Sequence, residues 1–339
     1  AGAGSRPSIL PGQVSTIVAV LSIPGRLALL AVVMVTAFAC APRDIVTPSD
    51  VGPLRIGIVT KVDTLPLFAA EYDHLYRNYH VEVTLVPFGS GAERDAALIA
   101  GQLDGMVHDL VAAALLNRDG DHIRVVKLAF QSTSDWPMVS LVAPGDTIVG
   151  DIQELRKTTI VVPEISASAH AVDRLLESRG VRSSDVRQID VASPGRVLET
   201  LEARQAGAAA LVEPFTSVAL ARGGRIIVDD RGTTISQSVL SFRREVLTTK
   251  GTSVRQFLRS HERAVEAVNA NPARYRPLVM SWPNVPAIVG DSLEVPRYPT
   301  ARRPSEDEVG GVVRWLVGHG HLAEPLPYER IVDASYVPR

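Results

Sequence analysis

The chain is poor in the residue types that mark most enzymes and most disulfide-built proteins. Its 339 residues include one cysteine, Cys40. One sulfur can close no intramolecular disulfide and can form no multi-cysteine metal site. The eight histidines are scattered, and His319 and His321, two apart near a helix end, read as surface residues rather than metal ligands. No metal and no cofactor is expected. The G-x-S-x-G elbow, the H-E-x-x-H zinc signature and the phosphate-binding P-loop are all missing. The glycines of FGSGAERDAALIAG (88–101) lack the dinucleotide-binding spacing. An excess of positive charge is missing too. Lys and Arg total 35 against 37 Asp and Glu, a formal net charge of −2, so nucleic acid is not an expected partner. There is no low-complexity tract and no internal repeat. With 46% hydrophobic residues the chain can still bury a normal core.

The N-terminal region has its own pattern. Leu27–Phe38 is an apolar run preceded by Arg26. It is short of the ~20 residues that span a bilayer. Ala37 and Ala39 flank Phe38 just before Cys40. A basic start, a short apolar core and small residues at the cut describe an export signal. A cysteine directly after them makes the region resemble a bacterial lipoprotein signal. That resemblance implies cleavage before Cys40 and acylation of its sulfur, although Ala37 stands where that family usually has Leu. The expectation is a leader over 1–39, then a lipidated Cys40 and a polar, Pro-bearing tether over 40–52.

From Leu54 onward short apolar runs alternate with helical patterns. LRIGIVT (54–60), VEVTLVPF (81–88), MVHDL (106–110) and IRVVKLAFQS (123–132) read as strands, with an amphipathic helix predicted over 65–79. A glycine-rich turn feeds a helix within 89–105, and another helix runs over 110–120. The same grammar restarts after Trp136, with a helix over 166–180 and strands ending in AAALVEP and RIIVDD. SVLSFRREVL (238–247) reads as one more strand, and the tail from Thr252 as mostly helical. Strands alternating with helices imply α/β architecture with parallel sheets.

Four segments carry a family resemblance. They are the stretch from IGIVTKVDTLPLF to GQLDGMVHDL, LRKTTIVVPEISASAHAVDRLLESRGV, AGAAALVEPFTSVALARGGR, and WLVGHGHLAEPLPYERIVDASYVP. In order and spacing they resemble the type II periplasmic binding proteins of ABC importers, in the branch of thiamine-pyrimidine-precursor, taurine and alkanesulfonate binders. The resemblance implies an α/β fold of two lobes, joined by two crossover strands, with a ligand cleft between them. Lobe one is expected over 53–139 plus 238–339 and lobe two over 140–237. It also implies an extracytoplasmic monomer that passes its cargo to an ABC permease and its ATPase subunits. Related fungal enzymes of that branch carry a cysteine-rich iron site, which one cysteine cannot supply, so no enzyme activity is expected. A solute sensor for a membrane kinase uses the same lobes and stays open as an alternative.

In parallel α/β lobes ligands sit beyond the carboxyl ends of the strands. That rule selects Thr60, Lys61, Val62 and Asp63 after the first strand, and Phe88, Gly89, Ser90 and Gly91 after the second. It also selects Asp109, Ser166 and Ser168 at helix starts, Glu213 with Pro214 at the end of AAALVEP, and Trp136 near the first crossover. Ser90 also reads as an ordinary helix cap, Asp109 and Glu213 as a cap or a salt-bridge partner, Trp136 as hinge packing, and Phe88 and Phe215 as core. Candidate carboxylates beside an aromatic wall disfavour a small anion and suit a flat ligand with N–H or O–H donors. The chain's resemblance to riboflavin-binding components of some importers makes riboflavin the first ligand expectation. A thiamine pyrimidine precursor or an alkanesulfonate such as taurine is the alternative.

Overall fold

The structure, a computed structural model, describes residues 50–147 and 149–336. The expected leader, Cys40 and most of the tether lie outside the described residues.

The described strands are β1 (Leu54–Val59), β2 (Val83–Phe88), β3 (Gly105–Asp109), β4 (Ile123–Gln131), β5 (Ser140–Pro144), β6 (Thr159–Val162), β7 (Arg187–Asp190), β8 (Ala208–Leu211), β9 (Gly224–Asp229) and β10 (Gln237–Arg243). The helices are α1 (Leu65–Tyr72), α2 (Leu75–Asn78), α3 (Gly91–Ile99), α4 (Leu110–Leu116), α5 (Ala167–Ser178), α6 (Pro194–Glu202), α7 (Phe215–Ala221), α8 (Arg244–Thr249), α9 (Gly251–Ala270), α10 (Pro272–Met280), α11 (Glu306–Gly318) and α12 (Tyr328–Ile331). No helix among the described residues is long and apolar enough to cross a membrane.

Two five-stranded sheets result, in the orders β2-β1-β3-β10-β4 and β7-β6-β8-β5-β9. Central strands are buried almost throughout: β1 exposes only Arg55, and β8 exposes nothing. Continuous apolar runs are what a strand needs when helices cover both faces of its sheet. β7, at an edge, is largely exposed. Gly105 has a specific task. A Cβ there would come within 2.8 Å of the Phe242 ring and the Ser241 carbonyl, so its absence lets β10 lie against β3.

Three sequence readings are corrected. The sheets are mixed rather than parallel: β10 runs antiparallel to β3 and β4, and β5 runs antiparallel to β8 and β9. These are the strands by which the chain enters each sheet after a crossing, and they run against the direction of the α/β units. The helix predicted over 65–79 breaks at Asp73 and His74, where His74 adopts a left-handed φ of 56°. Tyr275 and Arg274 of α10 take the Asp73 carboxylate at this break, so a tertiary contact overrides the local periodicity. The strand predicted over 238–247 ends at Arg243, and α8 begins at once.

The chain crosses between the sheets twice, after β4 and after β9, and the crossing segments are bonded to each other. The Ser132 hydroxyl donates to the Thr233 carbonyl at 2.8 Å, and the Gly232 N–H donates to the Thr133 carbonyl at 2.8 Å. The Asp230 carboxylate accepts from the N–H groups of Met138 (2.8 Å) and Val139 (3.1 Å). Burial pushes the Asp230 carboxyl up to about 6 despite these bonds.

Candidate ligand-binding cleft

The carboxyl ends of β1 and β3 face those of β6, β7 and β8 across a cleft of about 340 Å³. Drug-sized ligand sites begin near this size, at roughly 300 Å³. Lys61, Gly91, Arg94, Asp95 and Asp109 line one wall; Glu164, Ser166, Ser168, Asp190 and Pro194 line the other. A smaller pocket of about 20 Å³ adjoins it, sharing Lys61 and Val212 with the cleft. Its other walls include Asp63, Phe130, Trp136, Met138 and Glu213.

Local chemistry explains how each side chain is held. Ser90 caps α3, accepting from the Glu93 N–H at 3.3 Å, while the Glu93 carboxylate accepts from the Gly89 N–H at 3.1 Å. Asp109 caps α4 through the Ala112 N–H at 2.9 Å, and Ser166 caps α5 through the Ala169 N–H at 3.2 Å. Capping satisfies orphan donors at a helix start. All three residues therefore do the structural work of caps. Asp109 and Ser166 also line the cleft, whereas Ser90 is buried and lines neither cavity. Gly91 and Ser168 line the cleft. Thr60 and Phe88 line neither cavity, and Phe88 is packed against the core.

The inner pocket concentrates unmet bonding capacity. Asp63 is 4% exposed. Its Oδ2 accepts from the Ser238 hydroxyl at 2.8 Å and pairs with the Lys61 ammonium at 3.0 Å, while its Oδ1 has no protein partner. The Trp136 indole N–H is likewise buried without one. Burial pushes the Glu213 carboxyl up to about 7, outweighing the Ser217 N–H that donates to it at 3.2 Å. Near pH 7 this carboxyl is thus present both as donor and as acceptor. Between the lobes the Val62 N–H donates to the Glu213 carbonyl at 3.2 Å. Behind the pocket Tyr298 packs on Phe130 at 5.5 Å between ring centroids and donates to the Val62 carbonyl at 2.7 Å.

Sequence reasoning missed Phe130, Arg94, Asp95, Glu164 and Asp190. Asp190 ends β7, so the strand-end rule that selected Asp109 would have selected it. Phe130 sits one residue before the end of β4 and is found the same way. Arg94 and Asp95 lie within α3, past its cap, and only the folded helix turns them toward the cleft.

A model of the NMT1-like family matches residues 47–280. The chain belongs to the NMT1-like family. None of the curated proteins compared with it matches in sequence. Among solved structures, the alkanesulfonate-binding protein of Xanthomonas axonopodis pv. citri bound to MOPS superposes with a TM-score of 0.70 at 18% identity, covering 82% of this chain and 97% of its own. The periplasmic nitrate-binding protein of Synechocystis gives 0.59 at 12% identity, covering 70% and 68%. DSZB in complex with biphenyl-2-sulfinic acid gives 0.62 at 13% identity, covering 83% and 96%. At these identities the likeness shows the fold, which is that of the periplasmic binding proteins.

The charge inside this NMT1-like cleft is distinctive. Arg94 is 4% exposed, and its guanidinium is occupied by Asp95 (2.9 and 2.7 Å) and by the Val107 carbonyl at 2.9 Å. Lys61 is occupied by Asp63. Against these two cations stand Asp95, Asp109, Glu164 and Asp190 in the cleft, with Asp63 and Glu213 in the inner pocket. Burial, with the Asp109 charge adding to it, raises the Asp95 carboxyl even beside Arg94. Each added negative charge in such a site is repelled.

Proposed function

We propose that this NMT1-like protein is the extracytoplasmic solute-binding component of an ABC importer, and that its cleft takes a small, flat, uncharged heterocycle bearing N–H or O–H donors. The observation that carries the ligand class is the excess of carboxylates around two cations that are both already paired. A sulfonate or nitrate would bring a further negative charge to that lining. A neutral ring in the 340 Å³ cleft would avoid that repulsion and would direct one small polar group toward the adjoining 20 Å³ pocket, where the free Asp63 oxygen, the Trp136 indole N–H and the raised Glu213 carboxyl lie. Riboflavin, whose ring edge carries adjacent N–H and C=O groups, is the first candidate. A thiamine pyrimidine precursor, whose ring edge sets an amino donor beside a ring-nitrogen acceptor, is the nearest competitor. Binding would draw the lobes together about the two crossovers.

One observation favours a second reading. The N-termini of α3, α5 and α6 open onto the cleft through Gly91, Ser166 and Pro194. Helix starts attract anions, so an alkanesulfonate such as taurine is the rival ligand. The test is a titration of the protein with riboflavin, followed by flavin emission, alongside calorimetric titrations with an aminopyrimidine and with taurine. Quenching by riboflavin without a taurine signal is expected. Tight taurine binding with no flavin quenching overturns the ligand assignment.

The importer reading also assigns the N-terminal region. Acylated at Cys40, the protein would be held on the outer face of the cell membrane and present its loaded form to a permease.

A further inference from the structure

Outside the cleft, one buried carboxylate joins the two lobes. Asp173 lies on α5, the helix whose first turn carries Ser166 and Ser168 at the ligand cleft. The Asp173 side chain is 7% exposed. Its Oδ2 accepts from the Trp315 indole N–H at 2.8 Å and lies 3.0 Å from His319 Nε2. Ser183 donates to its other oxygen. Trp315 and His319 belong to α11 and its C-terminal cap, and α11 is anchored in the opposite lobe. It packs on α4. The segment leading into it is bonded to β4, through the Leu128 N–H to the Arg302 carbonyl at 2.7 Å. Arg302 in turn pairs with Glu308 at 2.7 Å, and Glu308 completes a capping box with Ser305. Aromatic contact adds to the hydrogen bonds: Trp315 lies 5.4 Å from the His170 ring and 4.7 Å from the His319 ring. Open grooves of about 670 and 620 Å³ flank this bridge, and α4 packs on both helices beside it.

We propose that the Trp315–Asp173–His319 bridge is an inter-lobe latch, and that Trp315, His319 and Asp173 are positioning residues that set how firmly the cleft stays closed. Thr234 and Ile235 of the second crossover line the groove on one side of the bridge, and Glu164 and Asp190 of the cleft line the groove on the other, so the bridge lies between crossover and cleft and resists the rotation that opens the cleft. The contact is also specific: removing either donor leaves a buried carboxylate oxygen short of a partner, which is costly in a desolvated site. Because α5 carries both the latch and a wall of the cleft, a weaker latch shifts the population toward open lobes and speeds ligand release. The mechanism rests on the cleft being the ligand site.

The test compares wild type with Asp173→Asn and Trp315→Phe by backbone hydrogen exchange in the absence of ligand. Latch loss is expected to raise exchange at residues 61–64 and 89–94, which belong to the other lobe and are no part of the bridge. Exchange changes confined to α5 and α11 overturn the proposal. If Asp173→Asn does not fold, Trp315→Phe, which keeps an aromatic ring while deleting the indole donor and part of the ring area, decides by the same criterion. Riboflavin release, followed by flavin emission, is expected to be roughly fivefold faster or more in both variants, with association little changed. If riboflavin fails to bind wild type, the ligand assignment falls while the exchange measurement still decides the latch.

Discussion

Trp136 and Glu213 illustrate how a side chain's surroundings convert an ordinary residue into a recognition element. The Trp136 ring forms a wall of the inner pocket, and its N–H is buried without a protein partner. Trp136→Ala should weaken riboflavin binding by roughly 1–3 kcal/mol, the range of an aromatic anchor; an unchanged affinity by flavin titration assigns the ring to hinge packing alone. Glu213 has a pH signature. Its carboxyl sits at about 7 in the folded protein against an ordinary 4.5, so the native state holds its proton more tightly than the unfolded chain does. Its contribution to stability is fully present below about pH 4.5, declines as pH rises toward 7, and is lost above that. Glu213→Gln should therefore leave stability at pH 4 nearly unchanged. At pH 8 it should raise stability by about 2 kcal/mol, part of the full linkage energy of the shift. Chemical denaturation at both pH values measures the difference. Sequence pattern placed both residues near the cleft. It could not reveal the missing partner of the indole or the raised carboxyl, because both follow from burial by segments far away in the chain.

Helix starts hold the cleft walls in place, and here one residue often does two jobs. Asp109 caps α4 and contributes a negative charge to the cleft. The two roles separate in Asp109→Asn, since Asn caps as well as Asp. Unfolding free energy should stay within about 0.5 kcal/mol of wild type. The repulsion of anions should fall, so any binding of ethanesulfonate, which carries a sulfonate and no ammonium, should strengthen by calorimetry. Asp109→Ala should instead cost about 1 kcal/mol of stability, the usual loss of a cap. The caps Ser90 and Asp109 were legible from the sequence because a capping residue announces itself beside the first turn it serves. The break between α1 and α2 was not legible. It depends on Asp73 meeting Arg274 and Tyr275, about two hundred positions later.

At the scale of the whole molecule, two mixed sheets joined by two bonded crossovers make a cleft whose walls come from both lobes. The importer reading expects such a molecule to be tethered. Cys40→Ser should lose acylation and appear in the soluble fraction after cell fractionation; retention with the membranes points to an uncleaved apolar anchor. Much of this architecture was readable from the alternation of short apolar runs with amphipathic stretches, because covered parallel strands and their helices each have a distinctive period. The same alternation, with the rule that ligands lie beyond strand ends, selected Lys61, Gly91, Asp109, Ser166 and Ser168 of the candidate cleft and left the rest unfound. The sequence by itself determined the α/β class, the helix starts, the absence of cysteine-based metal chemistry and the acid-bearing strand ends, all of which depend on neighbours a few residues away. Tertiary structure alone decided the antiparallel strands, the burial of Arg94 and Asp63, the free oxygen of Asp63 and the Trp315–Asp173–His319 bridge. Each of these arises where segments distant in sequence exclude water from one another, and charge and hydrogen-bonding capacity acquire their energetic weight only there.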